Sequence, residues 1–136
     1  MKTTKFSILL KNLFAKKVGF LSSSVVPAAR GYVKVKRDNN KNYIICVHIS
    51  NLAEINRLQP SKQAYVVWMV TDHEITENTG QINSSTTFLS TKLKASFTKV
   101  SSSKPIKIFI TAENDPATQT PTEQVILTTD RFYTAS

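Results

Sequence analysis

One cysteine, two histidines and three glycines occur in the 136 residues, and each shortage removes a class of function. With Cys46 alone, no intrachain disulfide can form and cysteine usage says nothing of the redox compartment. Cys46, His48 and His73 are three ligands where structural zinc wants four thiolate or imidazole groups close together, so no metal and no cofactor is expected. Gly19, Gly31 and Gly80 are too scattered to build the glycine-rich loop that lets backbone approach a phosphate. Long apolar runs are also missing. Phe6–Leu10 is too short for the hydrophobic region of a secretory signal, and Lys11, Lys16 and Lys17 interrupt any continuation toward a membrane span.

Acidic residues are missing from one part of the chain only. Residues 1–37 carry nine basic side chains and no acid, whereas residues 38–136 carry nine basic and nine acidic ones and sum to zero. The net charge of +9 therefore belongs to the N-terminal part, in the manner of a basic arm appended to a neutral domain. Within it, residues 5–21 place Phe6, Leu9, Leu10, Leu13, Phe14, Val18 and Leu21 in one arc at helical spacing. The spacing predicts a short basic amphipathic helix, although Lys17 falls inside the apolar arc and Ile8 outside it. Pro27 forbids a continuing helix, which puts the boundary at residues 22–30 and divides the chain into a lead, 1–24, and a domain, 25–136.

From Gly31 the period changes to two. Tyr32–Lys36 alternates apolar and basic, Asp38–Asn42 is turn chemistry, and Tyr43–Ile49 is a second strand, so a hairpin is expected. Tyr43, Ile45, Val47 and Ile49 share one face of it, and Ile44, Cys46, His48 and Ser50 the other. A helical turn is expected near Leu52–Leu58. Ala64–Thr71 is apolar at nearly every position, as in a central strand buried on both faces. Further strands are expected at Gln81–Asn83, Thr86–Leu89, Leu93–Thr98, Ile106–Glu113 and Gln124–Thr129. Seven or eight short strands without helical crossovers predict an all-β, Ig-like antiparallel sandwich with Trp68, Tyr65 and Phe109 in its core.

The order of landmarks over Gly31–Thr129 resembles the C-terminal domain of anti-sigma-K-type factors. The resemblance rests on Tyr65-Val66-Val67-Trp68-Met69-Val70, the Asn78-Thr79-Gly80-Gln81 turn, Leu93-Lys94-Ala95-Ser96-Phe97, Phe109-Ile110-Thr111-Ala112-Glu113, and Pro121-Thr122-Glu123-Gln124-Val125-Ile126-Leu127. It implies a β-sandwich module of a bacterial regulator on the non-cytoplasmic side of the membrane. The segment 114–120 lacks the glycines often found there, and neither a sigma-binding helical domain nor a transmembrane helix is evident, so inhibition of a sigma factor does not carry over.

Catalytic candidates are few. Asp72-His73-Glu74 follows the apolar strand and reads as a solvated turn more readily than as an acid–base group. Glu113-Asn114-Asp115 offers oxygen ligands without calcium-loop spacing and reads as a cap and turn. No serine stands in a nucleophile elbow, and no enzyme and no small-molecule substrate is expected. The basic lead carries the functional slant: Lys2, Lys5, Lys11, Lys16 and Lys17, interleaved with Phe and Leu, suit an anionic membrane surface. Docking on a protein partner, nucleic-acid binding through residues 1–37, and a helix covering its own domain are the alternatives.

Overall fold

The computed structural model describes residues 16–53, 55, 58, 62–82, 93–121 and 124–134. These form two four-stranded antiparallel sheets. Sheet A has the order β1 (Lys16–Gly19), β2 (Arg30–Arg37), β3 (Tyr43–Leu52), β6 (Leu93–Ser101); sheet B has the order β5 (Thr76–Ile82), β4 (Ala64–Thr71), β7 (Pro105–Glu113), β8 (Val125–Thr128). The chain crosses from sheet A to sheet B after β3, back after β5, and again after β6.

Alternation builds the core. Val33 and Val35 on β2 and Tyr43, Ile45, Val47 and Ile49 on β3 meet Tyr65, Val67 and Met69 on β4 and Ile108, Ile110 and Ala112 on β7. All are buried, and β-branched residues dominate because they fit the pleated surface of a sheet. The β2–β3 hairpin forms as the sequence predicts, with Arg37 opposite Tyr43. Asp38 Oδ1 accepts from the amides of Asn40 and Asn42 at 2.8 and 2.9 Å, and Lys41 takes a φ of 64° to close the turn.

The helix expected over residues 5–21 is corrected at its C-terminal end, since Lys16–Gly19 is a strand pairing antiparallel with β2. Without it the eight residues of β2 would present an open edge of unpaired amides and carbonyls. Period two also sorts the side chains better than the helical arc. Phe20, which that arc omits, packs against the core, whereas Leu21, which it includes, is 45 % exposed. The strand lies within the span assigned to the lead; the rest of the expected helix, 5–15, lies outside the described residues.

A second correction concerns Asn78–Gln81. These residues are the middle of β5, not a turn. Their turn-like composition serves a bulge: Val67 pairs with Gly80 and Trp68 with Asn78, leaving Thr79 as the extra residue, whose hydroxyl donates to the Val67 carbonyl at 2.7 Å. Gly80 has a φ of 139°, and a Cβ there would stand 2.9 Å from the Phe97 ring. Of the strand expected at 81–83, Gln81 and Ile82 end β5; the strand expected at Thr86–Leu89 lies outside the described residues. At 52–58, Leu52 closes β3 rather than opening a helical turn, and Ile55 begins a short turn whose carbonyl accepts from the Leu58 amide.

Sheet B is covered on its outer side as well. Trp68, fully buried, pairs with Phe109 and stacks on it with ring centroids 6.2 Å apart. Strand alternation sets both rings opposite the inter-sheet core of Tyr65, Val67 and Met69. Beside them Trp68 Nε1 donates to Thr111 Oγ1 and the Thr111 hydroxyl donates to Glu113 Oε2, both at 2.7 Å. The 114–121 connection reaches over to β5, where Asn78 Nδ2 donates to the carbonyls of Pro116 and Thr118. Burial on both faces explains why β4 reads as a nearly continuous apolar run.

Candidate functional site

The outer face of sheet A is built differently, with polar and charged residues around the rings of Tyr32 and His48. Inward Val33 and Val35 leave Arg30, Tyr32, Lys34 and Lys36 pointing outward from β2. Inward Ile45, Val47 and Ile49 leave Cys46, His48 and Ser50 pointing outward from β3. Register then sets Lys17 against Lys34, Tyr32 against His48 and His48 against Ser96, so that side chains from four strands share one surface. Lys17, Arg30, Lys34 and Lys36 stand on this face, and among the described residues no carboxylate stands on it.

Tyr32 and His48 form its centre, with ring centroids 5.1 Å apart and planes tilted by 32°. The Lys17 ammonium lies 4.3 Å from the Tyr32 ring centroid, within cation–π range. Arg30 is fixed at one end, its NH1 donating to the carbonyls of Pro27 at 2.7 Å and Ala29 at 2.9 Å. Between Arg30, Tyr32, His48, Ser50 and Ser96 the surface sinks into a hollow of about 380 Å³. Gly31 makes its floor possible, because a Cβ there would meet the His48 carbonyl oxygen at 2.3 Å and force β2 away from β3.

The candidates read from sequence are dispersed. Lys16 and Lys17 lie on β1, and Lys17 alone of the two joins the basic face; Lys2, Lys5 and Lys11 lie outside the described residues. Cys46 and His48 do share a face, but Cys46 is half-buried with its sulfur 3.9 Å from Thr98 Oγ1, while His48 meets Tyr32. Among the described residues no group of three His, Cys, Asp or Glu side chains converges on a point. Asp72, His73 and Glu74 form an exposed turn, with Glu74 engaged by both terminal nitrogens of Arg131 and held below the ordinary carboxylate range by that hydrogen bond. Glu113 points into the Trp68–Thr111 chain, whereas Asp115 caps the Ala117 amide at 2.9 Å, so the two carboxylates do not act on one ligand.

Reading the chain in order locates Lys17, Arg30, Lys34 and Lys36 but not the surface they form. The signal was the hairpin itself: once β2 and β3 pair antiparallel, the lysine face of one and the His48–Ser50 face of the other must coincide. Ser96, nearly fifty residues further along, carries no such mark. No helix among the described residues is long and apolar enough to cross a membrane. No known protein family, curated protein or solved structure matches the chain.

Proposed function

We propose that this chain is a non-enzymatic interaction module whose basic sheet-A face seats on an anionic membrane surface. The observation that carries it is the segregation of charge: Lys17, Arg30, Lys34 and Lys36 lie on one open sheet face whose described residues include no acid, although the body of the chain is neutral. Lysines near an anionic bilayer contribute roughly 1 kcal/mol each and act additively while within a Debye length of it. The sequence of residues 1–15, with Phe6, Leu9, Leu10, Leu13 and Phe14, offers the apolar component that stable attachment needs.

The resemblance to the C-terminal domain of anti-sigma-K-type factors fits this reading, with the sandwich as a recognition scaffold at the bacterial envelope. The sandwich part of this expectation alone is supported by the pairing of β3 with β6 in one sheet and β4 with β7 in the other, with β5 flanking β4 and β8 flanking β7, an order compatible with an Ig-like sandwich. The test is sedimentation with vesicles. Wild type is expected to pellet with vesicles rich in anionic lipid and not with neutral ones, and Lys34→Glu with Lys36→Glu should reduce binding at least tenfold while leaving the fold intact, since both side chains leave the core untouched.

Single-stranded nucleic acid is the second reading, favoured by the Tyr32–His48 pair, because bases stack on aromatic rings flanked by cations. If the protein ignores anionic vesicles at low salt yet binds DNA or RNA with steep salt dependence, this reading replaces the first.

A further inference from the structure

The hollow on the basic face is more discriminating than its charge alone requires. Its rim brings together a guanidinium from Arg30, an imidazole from His48, hydroxyls from Ser50 and Ser96 and the phenol of Tyr32, contributed by three adjacent strands of sheet A. None of the residues that line it is acidic. The Arg30 guanidinium is held by two backbone carbonyls, which orient it without neutralising it. A cation fixed in advance loses little side-chain entropy when it meets an anion. Gly31 lets β2 and β3 close up beneath it.

We propose that this hollow receives the terminal phosphate of an anionic lipid headgroup, a phosphomonoester; this rests on the reading of sheet A as the membrane-facing surface. A phosphomonoester carries about −1.5 to −2 charge at pH 7 and three strong acceptor oxygens. A carboxylate offers less charge and two oxygens, and a phosphodiester carries a single charge. The hollow, which gathers a guanidinium, an imidazole and the hydroxyls of Ser50 and Ser96, with Lys17 above Tyr32, matches the first of these.

The experiment compares full-length protein on neutral vesicles doped with phosphatidic acid and with phosphatidylserine, at amounts adjusted to equal surface potential. Binding to phosphatidic acid is expected to be at least fivefold tighter. His48→Ala with Ser96→Ala, both exposed positions, should abolish that preference while leaving binding to phosphatidylserine within twofold. Lys34→Gln with Lys36→Gln should weaken both lipids alike. Equal binding of the two lipids, or a preference that survives the double alanine change, overturns the headgroup site and leaves the membrane reading standing. Titration with glycerol 3-phosphate, followed through the amide resonances of Gly31, His48 and Ser96, separates the two ideas from the other side. Saturable shifts at those amides, lost in the double variant, are expected; their absence, or shifts equal to those given by acetate, overturns the site. Failure to bind any anionic vesicle overturns the membrane reading itself.

Discussion

Tyr65 shows how a single polar atom is accommodated in an apolar layer. Its ring belongs to the core between the sheets, and its hydroxyl donates to the Ala53 carbonyl at 2.6 Å. Burial makes the phenolate costly and raises the pKa from the ordinary 10.0 to about 12. The folded protein thus holds its proton more tightly than the unfolded chain, so the associated stability is complete below pH 10 and is lost as pH rises from 10 toward 12. Tyr65→Phe is expected to cost about 1 kcal/mol at neutral pH, the usual worth of one such hydrogen bond. Urea midpoints of wild type and variant should converge above pH 10, and the ultraviolet titration of wild type should show a late tyrosinate step near pH 12 that the variant lacks. A Tyr65 that ionises with the exposed phenols would mean that its hydroxyl is open to solvent rather than buried. Trp68 makes the complementary case. It is as fully buried as Tyr65, yet it lies on the other face of the same strand, with its N–H satisfied by Thr111.

At the level of elements, β5 and β6 are where the two sheets approach at one side, and Gly80 is the residue that permits it. The Phe97 ring of β6 occupies the space that any side chain at position 80 would need, and the φ of 139° is one that L-residues rarely adopt. Gly80→Ala should therefore destabilise by about 2–4 kcal/mol through both strain and overpacking. Phe97→Leu in the same background should recover part of the loss, which a purely conformational cost at residue 80 would not allow. Strand positions were legible wherever alternation was clean: β2, β3, β4, β6, β7 and β8 stand within a few residues of where period two and turn chemistry put them. The failures have physical reasons. Asn78-Thr79-Gly80 looks like a turn because a bulge needs the same conformational freedom as a turn. Lys16–Gly19 looked helical because a four-residue edge strand is too short to show its own period, and its pairing with β2 is a long-range fact. The basic face was half legible, its cations in plain sequence and its His48 and Ser96 hidden in the register.

For the whole molecule, the seam opposite β5 and β6 is joined by backbone. The Phe20 amide donates to Gly31 within sheet A at 3.0 Å, and the next amide, Leu21, donates to the Thr128 carbonyl of sheet B at 2.8 Å. Adjacent protons on one chain thus report different events. Exchange of the Phe20 proton with solvent deuterium requires that the chain beyond β1 peel from β2, whereas exchange of the Leu21 proton requires that the same chain leave β8. The exposed Leu21 side chain gives its amide no shelter, so any slowing there comes from the bond to Thr128. Deuterium uptake resolved by nuclear magnetic resonance should find Leu21 protected by an opening free energy no smaller than that of Phe20. Should Leu21 exchange as fast as an unfolded amide while Phe20 stays protected, the seam is open in solution; equal rates would instead show that β1 and β8 leave the fold in one step, making the first strand the latch of the last.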